Sequence, residues 1–470
     1  MDQPTLISML YLIAAILILL SIPAWLPPFI IRLRMKIFVY INGADAIELP
    51  NESLQDEEFR RIYTHPNVDI RSRGAALSDL FWYWLSPGPE MHQEHLENGA
   101  RYQKIAGFTR QILAQPRDAI ESLVDRNKPN YTQLFINSAW TLQRIRDLMM
   151  PFWAGFYYEL VFAESCDHTA RKLIVDNASD VVNSLKCCSL RHMDRREALT
   201  RFLVNRIENK KLPYPFPAGF STIEQAFYLQ GTFFNTAIVQ MSEAMAHTIV
   251  ALALHPDIQQ QLHRAPDDRA LYDRIINETL RLYPLFGIAH RITSADITVG
   301  KRAVKKGSVI CFNYPAYHQL NFDQADQFLP ERWQQCPVKS SNFIPFGVTA
   351  NRPCPAQGIA LISMRRLTQH LIKDIRFATS IQHSRSLPNR GPCLLISRRH
   401  KPPAAVVEKL ILWWIKLSDQ WENVYRSLKQ LILGTIMVID ARRLRLCEHY
   451  FNSLETEPDN RNESCKQNNC

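Results

Sequence analysis

From Thr5 to Ile31 the chain carries no charged residue. A helix needs a run of about 20 apolar residues to cross the hydrocarbon of a bilayer. Arg32, Arg34 and Lys36 follow the run, whereas only Asp2 precedes it. The positive-inside rule therefore predicts a single-pass membrane anchor with the bulk of the chain on the cytoplasmic face. The basic flank and small-residue cleavage site of a removable leader are not evident. Pro27-Pro28 predicts a stiff exit from the bilayer.

Further on, apolar residues recur at helical spacing in 131–165, 168–186, 194–207 and 223–254. Trp140 and Arg144 accordingly read as the core and the surface of one amphipathic helix. Ile223–Leu254 carries only Glu224 and Glu243 as charges and meets no proline before His255-Pro256. It predicts a long helix inside a large core. Strand-like runs follow at Ile297–Val304, Ser308–Phe312 and Cys393–Ser397. Helices first and short strands afterwards indicate an α-rich α+β fold.

The expected organisation is an anchor over 1–31, a linker over 32–50, a main domain over 51–402, a helical extension over 403–451 and a polar tail over 452–470. The extension contains LILWWIKL and LKQLILGTIMVI. Trp413 and Trp414 beside Lys416 suit a helix lying in a membrane interface, or one docked on the domain's own surface.

The net charge of +10 comes without basic runs interleaved with aromatics. That argues against nucleic acid and for an acidic protein partner or anionic lipid. Ten cysteines occur with no CxxC pair, so neither a zinc site nor a disulfide framework is expected.

One cysteine stands apart. Residues 343–360, FIPFGVTANRPCPAQGIA, place Cys354 just ahead of a predicted helix, where unpaired N–H groups and the dipole favour a thiolate. Upstream, Glu278 and Arg281 share a helix face in INETLRLYP. Arg332, in FLPERW, is the expected third member of a buried Glu–Arg–Arg network.

In that order, Glu-x-x-Arg, Pro-Glu-Arg-Trp and Pro-Phe-Gly…Arg-x-Cys-Pro resemble the cytochrome P450 family, over roughly 50–402 and most clearly after 220. LALHPDIQQQL is similar to the end of that family's long central helix, and SLPNRGPCLLISRR to its last sheet. The resemblance implies the cytochrome P450 fold and a haem whose iron is held by the Cys354 thiolate. It makes Arg352 and Arg291 candidates for the haem propionates, with His92, His95 or Arg101 for the other one. It also implies a hydrophobic small-molecule or lipid substrate, dioxygen, and electrons from a reductase or ferredoxin-like protein.

The chain departs from the family pattern in two places. Gly347 to Arg352 is one residue longer than usual, and Ala356 stands where a glycine is usual. Counted back from His255-Pro256, the family's acid–threonine pair falls on Val239 and Gln240. Valine relays no proton. Gln240, Glu243 and Asn235 are therefore the expected polar residues of the distal side. Asn235, in FFNTA, resembles members that rearrange peroxides without consuming dioxygen; an asparagine bonded within its own helix is the competing reading. The expected activity is that of a monooxygenase. Two alternatives stay open, an isomerase or peroxygenase acting on lipid peroxides and a membrane-tethered haem-binding scaffold without turnover.

Overall fold

The apolar run forms one helix, α1 (Gln3–Asn42), which continues through Pro23, Pro27 and Pro28 instead of stopping there. Each proline forfeits a ladder hydrogen bond, yet the turns on either side carry the helix on. The computed structural model describes residues 3–43, 46–50, 56–85, 97–129, 131–209, 212–300, 302–348 and 350–456.

After β1 (Ile47–Leu49) come α2 (Asp56–Tyr63), α3 (Ala76–Leu85), α4 (Ala100–Leu113) and α5 (Arg117–Asn127). β2 (Trp140–Arg144), α6 (Ile145–Phe162), α7 (His168–Leu185) and α8 (Met193–Asn209) lead to the central helix. This begins as α9 (Thr222–Leu229) at a capping box of Ser221 and Glu224. It passes through a π-helical stretch, Gln230–Ala237, into α10 (Ile238–Leu254). Every residue from Met241 to Ala253 is buried, as an apolar run of this length requires.

α11 (Pro256–Arg264) and α12 (Arg269–Leu282) follow, then β3 (Ile288–Ile292), β4 (Ile297–Val299), β5 (Arg302–Val304) and β6 (Val309–Asn313). The expected strand Ile297–Val304 is a hairpin of two strands, because Gly300, at φ 60°, turns the chain between them. β6 runs parallel to β1 and antiparallel to β3. After α13 (Tyr314–Tyr317), α14 (Arg332–Gln335) and α15 (Gln357–Asp374), β7 (Ile375–Ala378) and β8 (Pro392–Ser397) build a second sheet of order β2-β8-β7. Here the helical reading of Trp140–Arg144 is corrected. Trp140 lies opposite Ile396 and Arg144 opposite Pro392 in an antiparallel ladder, and a partner so distant in sequence leaves no local periodic signature.

The chain continues as α16 (Ala405–Leu444) and α17 (Leu446–Thr456). α16 lies along α1, α3 and β8. Met437, Val438 and Ala441 pack with Leu80, Tyr83 and Trp84 of α3 and Phe38 of α1. The Asp79 carboxylate of α3, buried, accepts the N–H groups of Cys447 at 3.0 Å and Glu448 at 3.2 Å, capping α17. α17 runs five residues into the expected polar tail; the rest of that tail lies outside the described residues.

Candidate active site

Glu278 and Arg281 sit one turn apart on α12, both fully buried. The Glu278 carboxylate accepts from Arg281 Nε at 3.0 Å and Nη2 at 2.8 Å, and from Arg332 Nε at 3.0 Å. Two donors that the sequence reading missed complete it, the Leu329 N–H at 3.0 Å and Trp333 Nε1 at 2.9 Å. Arg281 and Arg332 spend their remaining N–H groups on the carbonyls of Ala325, Gln327, Asp323 and Gln324. A buried carboxylate survives only when so compensated.

This network reaches the Cys354 loop through His318. Arg281 Nη1 donates to the His318 carbonyl at 3.4 Å, and the Ile344 N–H donates to His318 Nε2 at 3.0 Å. Burial lowers the His318 imidazole to about 3, so the ring is neutral and Nε2 can accept. His318 also escaped the sequence reading; its only signal was a lone histidine after a short aromatic run.

The loop itself is held by its backbone. Gly347, at φ 78°, receives a position no L side chain favours, and a Cβ there would sit 3.4 Å from the Tyr63 hydroxyl. The Cys354 N–H donates to the Phe346 carbonyl at 2.8 Å. The extra residue between Gly347 and Arg352 is taken up in a turn in which the Asn351 N–H donates to the Val348 carbonyl at 3.0 Å. Asn351 Nδ2 ties that turn to the Tyr63 carbonyl at 2.5 Å. Cys354 is half-buried and precedes α15 by three residues. Tyr157, fully buried on α6, is pushed above its ordinary range by burial first and by Cys354 second.

Three guanidinium groups converge beside this loop. Arg352, at φ 50°, stacks over the Tyr102 ring at 4.0 Å. Arg291, buried on β3, donates to the Tyr63 hydroxyl at 3.0 Å. Arg71 donates to the Asn351 carbonyl at 3.3 Å. Burial lowers Arg71 to about 9, with Arg291 the next contributor, and burial also lowers Arg352. Among the described residues, Arg71 Nε and Arg291 Nε are buried with no hydrogen-bond partner. Such a cluster is costly without an anion. Arg71 was missed because it precedes every motif and reaches the loop only through the bridge of Ile70 to Ile292. Arg101 is not brought to this cluster. It pairs with Glu224 and lies over Phe220, 4.2 Å from the ring centre. His92 and His95 lie outside the described residues.

The distal expectations need correction. Glu243 is bound to Arg146 at 2.8 Å and Lys186 at 3.0 Å. Burial works to raise its carboxyl, but Lys186 and then Arg146 hold it at about 2, so it has no proton to give near neutrality. Asn235 is fully buried, accepts from Asn177 Nδ2 and donates to the Leu85 carbonyl at 2.9 Å. Its amide joins the π-helical stretch to α7 and α3, neither lining an open face nor bonding within its own helix. Gln240 differs. With Thr232, Thr236 and Ala237 it forms a half-open face on a helix otherwise buried from Tyr228 to Ala253, and the Thr232 hydroxyl is buried with no partner among the described residues.

The family model described as cytochrome P450 matches residues 117–404. The chain belongs to the cytochrome P450 family. Cytochrome P450 3A13 of Mus musculus is 31% identical over 144 residues, which is 26% of this chain and 28% of that protein. The chain thus aligns with well under two thirds of that relative's length. In fold it is similar to cytochrome P450 OleT solved with arachidonic acid, with TM-score 0.62 and 14% identity over 73% of this chain and 88% of that one. It is likewise similar to a zebra fish cytochrome P450 solved with abiraterone, with TM-score 0.58 and 17% identity over 73% and 92%.

Members of this family bind haem iron through a proximal cysteine thiolate. The residues present fit that group. A half-buried cysteine stands at a helix start, and buried arginine N–H groups without partners lie beside it, where a propionate carboxylate would satisfy them.

Proposed function

We propose that the protein is a membrane-anchored haem-thiolate monooxygenase that oxidises a hydrophobic small molecule or lipid, using dioxygen and electrons from a reductase or ferredoxin-like donor. The observation that carries this reading is Cys354 at the head of α15 beside the buried cluster of Arg71, Arg291 and Arg352. Haem, when bound, supplies the oxidising chemistry, and a thiolate ligand favours O–O cleavage. Cys354 holds the iron, with the α15 N-terminus stabilising its charge. Arg352, Arg291 and Arg71 hold the propionates. Glu278, Arg281, Arg332 and His318 fix the loop that presents the cysteine. Thr232, Thr236 and Gln240 are the polar groups offered to the substrate side. α1 holds the enzyme on the membrane, with the main domain on the cytoplasmic face.

A second reading has its own support. Both acids of the central helix are committed to ion pairs, Glu224 to Arg101 and Glu243 to Arg146 and Lys186. Neither serves as a general acid, so a peroxide, whose O–O bond is already reduced, is the easier oxidant. Product analysis on the full-length protein decides between the readings, with dioxygen and reductant in one arm and a lipid hydroperoxide alone in the other. Product in the first arm supports the monooxygenase. Product confined to the second supports the peroxide reading, and none in either leaves a non-catalytic haem protein.

A further inference from the structure

α16 carries a feature that neither the haem site nor the fold uses. Leu410, Trp414, Trp421, Leu428, Ile432 and Ile439 succeed one another at steps of 4 or 7 residues. At 3.6 residues per turn they fall within about 40° of arc, on a line roughly 45 Å long. Most of that line is bare, with Leu410 61%, Trp414 58% and Ile432 61% exposed. Isolated apolar residues on a surface need no explanation, but a continuous stripe of this length does.

The charges of the helix are sorted around the stripe. Its acids face inward and are paired, Glu408 with Arg376, Glu422 with Arg144 and Asp419 with Arg426. By the same helical count Lys429 lies about 60° beyond one edge of the stripe, and the exposed Lys409 and Lys416 about 100° and about 120° beyond the other. The bare face is therefore apolar, with cations flanking it at a distance.

A second observation gives it a direction. α16 lies along α1, where a Cβ on Gly434 would come within 3.4 Å of the Phe38 ring. α1 is long and apolar enough to cross a membrane, and its apolar window is unburied. Beyond the prolines it too exposes apolar residues, Phe29 at 52% and Met35 at 54% among them. The last turns of α16 thus lie beside the end of α1 that follows the apolar window.

We propose that α16 is a second membrane contact, lying in the interface of a bilayer containing anionic lipid with its stripe in the acyl boundary and its lysines among the headgroups. This rests on the reading of α1 as the membrane anchor. Tryptophans on the stripe suit the headgroup level. A straight stripe without polar interruption matches a plane, whereas a protein partner in water would be met by a patch with a polar rim and hydrogen-bonding groups.

The test uses full-length protein reconstituted in phosphatidylcholine–phosphatidylserine vesicles whose acyl chains carry bromine near either the headgroup or the chain end. The emission of Trp413 and Trp414 is read as the difference between the wild type and Trp413→Phe/Trp414→Phe. Ile432→Trp in that double-variant background reports on the other half of the helix. The expected result is loss of emission at both places, larger with the shallow bromine. Emission unaffected by bromine overturns the proposal, and would assign the stripe to a second copy or another protein.

Alkaline extraction of the same vesicles reads α1 separately. Protein that resists alkali without quenching keeps the anchor and loses the α16 contact. Protein that alkali removes but that is quenched beforehand loses the anchor and keeps the contact.

Discussion

Glu278 and Trp333 are joined by a hydrogen bond of 2.9 Å from the indole N–H to a carboxylate oxygen that is wholly out of water. Trp333 also packs against Phe343, at a centroid distance of 4.8 Å, next to the segment leading into the Cys354 loop. Trp333→Phe keeps the ring and deletes the donor. The expected loss is about 1.5–3 kcal/mol, the usual contribution of a hydrogen bond to a charged group, measured by urea unfolding. Glu278→Ala strands two arginines and should cost about 3–5 kcal/mol, giving protein of low yield without haem. Normal yield and haem content in Glu278→Ala would show that the network is not needed to build the site.

Cys354→Ser should abolish the strongly red-shifted band that reduced thiolate-ligated haem gives with carbon monoxide. Arg71→Ala should leave that band in place and speed the loss of haem to an apo-globin trap, since one propionate contact goes while the iron ligand remains. Unchanged haem loss in Arg71→Ala would remove Arg71 from the propionate site.

His318 makes the site sensitive to acid. Burial holds its folded-state value at about 3 against an ordinary 6.5. A depressed imidazole contributes stability that is complete above 6.5 and is lost as the pH falls from there towards 3. His318→Gln keeps an acceptor for the Ile344 N–H and does not titrate. Its unfolding free energy should therefore change less between pH 7 and pH 5 than that of the wild type, as urea titrations at the two values would reveal. Parallel losses in both proteins would place the acid sensitivity elsewhere.

Oxygen handling is the least ordinary part of the chain. Val239→Asp with Gln240→Thr restores a proton-relaying pair, and a general acid–base group typically contributes about 10²–10⁴-fold. The expected outcome is a rise in product formed per reductant consumed. Glu243→Gln should instead lower stability without changing that ratio, because Glu243 is a counter-ion for Arg146 and Lys186. A tightly coupled wild type would mean that Gln240, Thr236 or ordered water already delivers the protons.

What the sequence reveals and what it hides divide along physical lines. The network of Glu278, Arg281 and Arg332 was legible because each belongs to a short motif whose spacing a helix or turn imposes. The central helix was legible because an apolar run of that length has one stable home. His318 and Arg71 act through partners far away in the chain, and no local pattern marks them; Trp333 ends the Pro-Glu-Arg-Trp motif, but that motif does not show that its N–H reaches Glu278. Glu243 was misassigned because, one turn beyond the Val239–Gln240 position, it was the nearest carboxylate on the central helix that could supply a polar contact. What decides its role is the pair of cations that α6 and the end of α7 bring to it. β2 was misread for the same reason, since its ladder partner lies about 250 residues on.

The cap that Asp79 places on α17 has a consequence in time. A ribosome delivers Asp79 ahead of Cys447 by 368 residues, and Glu448 straight after that. Parts of a growing chain organise in the order in which they emerge. Through most of synthesis, α3 therefore holds a carboxylate awaiting its N–H groups and an apolar flank of Leu80, Tyr83 and Trp84 awaiting α16. Two parts made far apart in time are thus obligate partners. A nascent chain stalled after β8 would display that flank to chaperones and proteases.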